Sequence, residues 1–329
     1  MRYNKIEINF CFGLILVVIL QILASMPLIH ASADGGGGSI VYISRDNDNI
    51  VYAVNPDGTN NKKIYSGTTR IDSSRQLFSV NFDGSQIAIG VYIDGNLYEN
   101  NIRTINIAKS NATVVNGFGN VGPLIGNNVQ FSPDGKKLAF VSGSAVAGCG
   151  AATQKLIWTN GVTKTEFSLD FLQDSLGTGT MGLVRYVSWS PDSNKLLFVA
   201  DFMFKGNSLW YGGIFTINLD GSNARRIWVH EHDAPYDDVS WSPDGQRIAL
   251  HVRNSLYIMN ADGGNVKKMS FTRKGSSLSA KHIKWSPDSS RIVYVIDSEE
   301  IWTANSDWTD AKYITKGMLP FWIPIPISR

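Results

Sequence analysis

The densest group of reactive side chains in this sequence is the run 230–238, HEHDAPYDD. In an extended strand His230 and His232 point to the same side, because side chains alternate between the two faces. Imidazole nitrogens beside a carboxylate suit zinc or manganese. His230, His232 and Asp233 are therefore candidate ligands of a divalent metal. The run also fits a solvated loop between two structural units, and in that interpretation, which we favour, no cofactor is bound.

Few other groups have a spacing that indicates catalysis. The sequence has no Gly-x-Ser-x-Gly motif, no Cys-x-x-Cys pair and no Gly-rich phosphate loop. Its two cysteines, Cys11 and Cys149, lie far apart, and removal of the N-terminal segment would leave one thiol, so we expect no internal disulfide. The 30 basic and 28 acidic residues give a net charge of +2, which predicts no nucleic-acid partner.

One short sequence unit recurs along the chain, and such repetition indicates a single supersecondary unit used many times. In each copy an apolar or aromatic strand leads into a Pro-Asp-Gly or Pro-Asp-Ser turn, and an apolar strand follows. Proline presets the turn and glycine accepts its left-handed exit. The copies are Val129–Gly135, Val187–Ser193, Val239–Gly245, Ile283–Ser289 and a worn copy, Phe78–Gly84.

A second unit follows each first one and completes a four-stranded repeat. It reads as a strand, an Asn-x-Asp-Gly turn and a further strand, as in Ile214–Gly221, Leu256–Gly263 and Val51–Gly58. Four antiparallel strands per repeat are typical of a propeller blade. The first blade, from Ser39, lacks its inner strand, whereas Pro320–Pro324 is an orphan inner strand. We therefore predict an all-β, six-bladed propeller of four-stranded antiparallel blades, closed three strands plus one by the C-terminal strand.

The Trp-Ser-Pro-Asp-Gly strand and the following Tyr-x-Met-Asn-x-Asp-Gly unit resemble the propeller repeats of the TolB family over residues 39–327. TolB proper carries an additional N-terminal α/β domain, and we expect none in this chain. Similar repeats occur in the propeller domains of prolyl oligopeptidase-like enzymes and in oligogalacturonate lyases. The lyases use a His-bound metal, so the resemblance leaves a metal-assisted activity at His230 and His232 open.

The N-terminus predicts export. Arg2 and Lys5 precede an apolar stretch from Phe10 to Ile29, and Ala31-Ser32-Ala33 offers small residues for cleavage. We interpret residues 1–33 as a signal peptide, with a retained membrane anchor as the alternative, and residues 34–38 as a Gly-rich linker. The expected location is periplasmic or extracellular. We expect a monomer that meets a membrane only through such an anchor.

Geometry predicts which side of the propeller binds a partner. The turns after the first and third strands of each blade are short and alike, whereas the connections after the second and fourth vary in length, and variable loops on a rigid scaffold usually carry binding. We call these sides the turn face and the loop face. The segment from Asp201 to Tyr211 is predicted to be an aromatic loop on the loop face, or alternatively aromatic residues packed beneath it. The repeat tryptophans Trp189, Trp241, Trp285 and Trp322 are interpreted as core between blades.

Counting four residues back from each repeat aromatic, or from its equivalent, predicts a ring at the channel mouth made of Gln76, Asn127, Arg185, Asp237, Lys281 and Met318. With its neighbours and the loop aromatics, the candidate binding residues are Arg185, Tyr186, Trp210, Tyr211, His230, His232, Tyr236, Asp237, Lys281 and His282.

The sequence leaves two candidate functions for the protein. One is a non-enzymatic propeller that binds a protein, peptide or glycan on its loop face. The other is a metal-assisted polysaccharide lyase or similar enzyme at the channel mouth.

Overall fold

In the computed structural model, residues 38–47, 50–67, 78–93, 96–106, 113–115, 128–144, 153–168, 178–204, 210–230, 236–252, 255–269 and 280–324 are described. The predicted signal or anchor, residues 1–33, and most of the linker lie outside these ranges, so both stay predictions. No helix among the described residues is long and apolar enough to cross a membrane.

The described residues form strands grouped into six antiparallel sheets, one per blade. Blade 1 has β1 (Ser39–Ile43), β2 (Ile50–Val54), β3 (Lys62–Ser66) and, from the C-terminus, β24 (Met318–Ile323). Blade 2 has β4 (Phe78–Val80), β5 (Gln86–Ile93), β6 (Asn96–Asn106) and β7 (Thr113–Val115). Blade 3 has β8 (Val129–Phe131), β9 (Leu138–Ser144), β10 (Thr153–Thr159) and β11 (Lys164–Ser168).

Blade 4 has β12 (Thr178–Trp189), β13 (Lys195–Phe204), β14 (Trp210–Asn218) and β15 (Arg225–His230). Blade 5 has β16 (Tyr236–Trp241), β17 (Arg247–Val252), β18 (Ser255–Asn260) and β19 (Lys267–Lys268). Blade 6 has β20 (Ala280–Trp285), β21 (Arg291–Ile296), β22 (Glu300–Asn305) and β23 (Lys312–Lys316).

The C-terminal strand closes the ring. β24 pairs with β1 in the order β24-β1-β2-β3, with Ile40 opposite Trp322 and Val41 opposite Phe321. β24 also contacts β20 of blade 6 and β4 of blade 2, so it is the inner strand of the first blade. Pairing with β24 covers the edge of β1 that would otherwise be the inner edge of blade 1. The predicted six-bladed fold and its three-plus-one closure are confirmed.

The turns after the inner strands share one hydrogen-bond pattern. In blade 4 the Ser190 hydroxyl donates to Asp192 Oδ1 at 2.5 Å and accepts the backbone N–H of Lys195 at 2.9 Å. The Ser190 hydrogen bond holds the pKa of the Asp192 carboxyl below its usual value. Gly135 exits the equivalent blade 3 turn at φ 68°. The repeated Ser-Pro-Asp triplet is therefore a structural unit whose polar groups are used within the turn.

The core lies between blades, where the repeat tryptophans sit. Trp189 and Trp285 are buried, and each indole N–H donates to a carbonyl on the inner strand of the preceding blade, that of Gln130 at 3.0 Å and Ser240 at 3.1 Å. Trp322 is also buried, whereas Trp241 is partly exposed and bonds to its own turn. The second strands are buried on both faces, as predicted from their continuous apolar sequence.

Blade 4 differs from the sequence expectation. The predicted aromatic loop from Asp201 to Tyr211 is wrong for most of its length, because β13 continues to Phe204 and β14 begins at Trp210. Phe202 is fully buried and pairs in register with Tyr211, their rings 6.0 Å apart. The alternative of aromatics packed inward fits these two residues. Apolar runs that pair across a hairpin extend the sheet rather than loop out.

Candidate functional site

The inner strands converge on the axis of the ring, and their first residues lie toward the loop face. Side chains along these strands enclose a cavity of about 10 Å³, roughly the space of one water molecule. Residues from blades 1, 2, 3, 5 and 6 line it: Phe78, Asn128, Gln130, Asp238, His282, Lys284, Leu319, Pro320 and Phe321. We call this group the channel mouth.

A buried ion pair joins two blades at the channel mouth. Lys284 Nζ on β20 lies 2.7 Å from both carboxylate oxygens of Asp238 on β16. The two side chains are 12% and 1% exposed, so the pair is almost completely removed from water. Burial raises the pKa of the Asp238 carboxyl, and the Lys284 charge opposes that shift. Lys284 also lies 5.6 Å from the ring centroid of Phe321, where its charge faces the π cloud.

Two histidines lie close to this pair. His251, fully buried on β17, stands opposite Asp238 in the register of blade 5. His282 lines the cavity, and its Nδ1 is buried without a hydrogen-bond partner among the described residues. Burial and the nearby charges of Lys284, His251 and Lys281 lower the pKa of His282 to about 3. His282 is therefore neutral at neutral pH and can offer its ring to a polar ligand.

The backbone at the channel mouth takes an uncommon conformation. Asn128, His282 and Leu319 have φ values of 94°, 53° and 50°, and each stands three residues before its repeat aromatic. Left-handed conformations of such residues cost about 1–3 kcal/mol and persist only where the surroundings enforce them. Asn128 is held by its side-chain N–H, which donates to the carbonyl of Val187 in the next blade at 3.1 Å.

The predicted ring and the observed cavity differ in register. Seven of the nine lining residues stand one or three residues before the repeat aromatic, and Phe78 and Pro320 stand two before it or its equivalent, whereas the ring was counted four residues back. A strand alternates its faces, so an odd shift exchanges the channel side for the other side. Lys284 and Phe321 were therefore missed as site residues, and so was Phe78, which lies two residues from the predicted Gln76. The alternation of each inner strand was the signal that could have identified them.

The structure separates several predicted site residues. Arg185 pairs with Asp201 on the neighbouring strand of its own blade, Nη2 to Oδ2 at 2.7 Å. Tyr186 is buried in the core between blades 4 and 5. Tyr211 packs against the core of blade 4. Of the ten candidates, His282 is the one whose side chain lines the described cavity, and Lys281 precedes it on β20, partly exposed.

The remaining candidates are placed through their backbones. Trp210, Tyr236 and Asp237 are strand residues, and His230 is the last residue of β15. His232 and Asp233 lie outside the described residues, so the metal-site prediction stays untested there. Within the described ranges, no group of three or more His, Cys, Asp or Glu side chains could hold a metal ion.

Comparison with known proteins identifies the fold. No protein-family model matches the sequence, and no curated protein matches it significantly. Among solved structures, TolB from Acinetobacter baumannii is similar with a TM-score of 0.57 and 16% identity, covering 98% of this chain and 74% of that one. The putative TolB from Agrobacterium tumefaciens has a TM-score of 0.54 and 14% identity, covering 86% and 91%.

An oligogalacturonate lyase in complex with manganese has a TM-score of 0.46 at 16% identity, covering 85% of this chain and 74% of that one. Because this TM-score is low, the similarity to the lyase supports no conclusion about the chemistry of this chain. The TolB similarities, at low identity, concern the fold alone. The chain therefore has the fold of the TolB-type six-bladed β-propellers.

Proposed function

We propose that this protein is an exported, non-enzymatic propeller that binds a protein, peptide or glycan partner at the channel mouth on its loop face. The observation that carries the proposal is the cavity there, which is lined by His282, a residue whose Nδ1 is buried without a hydrogen-bond partner among the described residues. A buried polar atom without a partner is costly, and a ligand that supplies a hydrogen bond relieves that cost.

The size and lining of the cavity favour a ligand that rests on the mouth. A volume of about 10 Å³ admits one water but no sugar ring or amino-acid side chain. Phe78 and Phe321 supply apolar surface beside the Asp238–Lys284 pair, a mixture of apolar walls and few polar groups that suits a binding site. The left-handed residues around the cavity support this assignment, because such conformations cluster at ligand sites.

Capture from the envelope fraction of the producing cell tests the proposal. The full chain carries an affinity tag after Arg329, because β24 ends on the turn face and leaves the loop face open. The test variant replaces Arg185, Asp237, Lys281 and His282 with Ala, so that it includes the candidate that lines the cavity. A matched control replaces Lys62, Lys63, Lys267 and Lys268, all exposed on outer strands, with Ala.

We expect the wild type and the control to capture the same partner and the loop-face variant to lose it. Equal capture by all three proteins would place the partner elsewhere. Measurement of bound metal in the purified chain tests the alternative that the protein is a metal-assisted enzyme. One divalent ion per chain that disappears in His230→Ala and His232→Ala, together with cleavage of a polyuronate, would contradict the proposal. Cell fractionation checks the export.

A further inference from the structure

The inner strand of blade 4 is longer than its counterparts. β12 begins at Thr178 and reaches its repeat tryptophan, Trp189, eleven residues later, whereas β16 and β20 begin five residues before theirs. At about 3.3 Å per residue, the six additional residues lengthen the strand by roughly 20 Å. The extension, Thr178–Leu183, lies on the loop-face side of the ring, because inner strands start on that face.

The extension is paired on one side only among the described strands. Blade 4 has the strand order β12-β13-β14-β15, so β12 is the last strand on the channel side. On its other side Thr178 lies opposite Phe204 and Met181 opposite Phe202 on β13. Within the ring the neighbouring inner strands β8 and β16 contact β12. Within the described residues no strand pairs with the second edge of the extension, whose backbone N–H and C=O groups therefore have no partner strand there.

Most outer sheet edges of this protein carry charges, with β7 of blade 2 the exception among the described strands, and the extension carries none. The fourth strands begin with Lys or Arg in five blades: Lys62 and Lys63, Lys164, Arg225 and Arg226, Lys267 and Lys268, and Lys312. Charged side chains on an edge strand hinder the addition of another strand. The extension reads Thr-Gly-Thr-Met-Gly-Leu, without charge or proline. Its pairing shifts register twice before Val184, and such bulges are frequent beside functional sites.

We propose that the axis-facing edge of Thr178–Leu183 binds an extended segment of the partner protein, which adds to blade 4 as a further strand. Backbone hydrogen bonds supply the affinity in this mode, as in other proteins that recognise peptides by strand addition. The segment is about six residues long, uncharged and free of proline, to match the edge. It lies over the channel mouth, so the inference rests on the proposed function and selects a protein partner over a glycan.

The test uses random ten-residue peptides displayed on phage and selected against the full chain. Selected peptides are resynthesised with alternate backbone amides methylated. Since alternate amides of a strand point to opposite edges, one methylation pattern should weaken binding at least tenfold and the other should not. The inference is overturned if peptides with either methylation pattern bind equally well. It is also overturned if no selected peptide competes with the envelope partner for the loop face.

Proline variants test the same edge from the protein side. The backbone N–H groups of neighbouring residues point to opposite edges of a strand. Of the two variants Thr180→Pro and Met181→Pro, one therefore removes an N–H from the free edge and leaves the hydrogen bonds to β13 intact. That variant should keep the wild-type Tm and lose peptide affinity at least tenfold. Ile314→Pro and Thr315→Pro, on the outer edge strand β23, are the matched controls, and the folded member of that pair should retain affinity.

Two outcomes separate this inference from the proposed function. If the folded β12 proline variant still captures the envelope partner while the loop-face alanine variant does not, the function stands and strand addition is wrong. If the chain forms a concentration-dependent dimer that the β12 proline variant abolishes, the edge belongs to a second copy of the chain, and the inference is also wrong.

Discussion

At the scale of single residues, Asp238 and Lys284 form an ion pair in the lining of the channel mouth. Each charge is buried and is compensated by the other, so removal of one leaves the other without compensation. Breaking a buried pair costs about 3–5 kcal/mol, whereas replacing both charges with neutral groups of similar volume is often neutral or stabilising. We therefore expect the pair to add little net stability, because the cost of desolvating both charges offsets their attraction.

We expect Asp238→Asn to lower the free energy of unfolding by about 3 kcal/mol and the double variant Asp238→Asn, Lys284→Met to recover most of that loss. Urea denaturation at neutral pH measures both. Asp201→Asn, which breaks the more exposed pair with Arg185, is the control and should cost less than about 1 kcal/mol. A double variant as unstable as the single one would contradict the argument.

At the scale of elements, the turns of adjacent blades are joined by a serine in two places. Ser193 Oγ accepts the backbone N–H of Asp134 at 3.1 Å, and Ser289 Oγ accepts that of Asp244 at 3.0 Å. Both serines have a left-handed φ, 57° and 60°, where other repeats have glycine. The sequence difference between Pro-Asp-Gly and Pro-Asp-Ser therefore marks where one blade bonds to the preceding one.

Replacing Ser193 with Ala and with Gly should lower the stability of the protein by different amounts. Ser193→Ala removes the acceptor and keeps the unfavourable left-handed φ, so we expect a loss of about 1 kcal/mol. Ser193→Gly also removes the acceptor but tolerates that φ, so it should be the milder change. Thermal unfolding of both variants checks the order. If Gly is the more destabilising, the hydrogen bond is not what the serine contributes.

At the scale of the whole molecule, the two ends of the propeller meet on the turn face. Ser39 starts β1 opposite Ile323 at the end of β24, and Gly38 packs so closely on the Ile323 carbonyl that a Cβ there would overlap it. The first and last strands of the propeller are therefore joined at the same end of blade 1.

Removal of β24 opens the ring. Truncation after Gly317 takes away Leu319, Phe321 and Ile323 from the core shared by blades 1 and 2, and it exposes the inner edge of β1. We expect aggregation or a large fall in Tm. Truncation after Pro324 is the control and should melt like the full chain. A chain shortened to Gly317 that stays monomeric with an unchanged Tm would refute closure by this strand.

Much of the fold was determined by local sequence. Pro-Asp-Gly turns at a regular spacing and the unmatched strand around Trp322 were sufficient for the blade count and the closure, because turn chemistry and strand periodicity act over a few residues. The site depended on longer-range geometry. The sequence could not show that β12 and β13 extend past Arg185 and Asp201, since that depends on pairing across a hairpin.

The identity of the channel-mouth residues was likewise decided by tertiary structure. Asp238 and Lys284 are 46 positions apart and meet because two blades place their inner strands side by side. Strand alternation fixes which side chain faces the axis, and a bulge such as that between Tyr236 and Asp238 reverses it locally. The repeats by themselves determined a propeller. Only the ring, by bringing distant strands to one axis, decided which residues form its mouth.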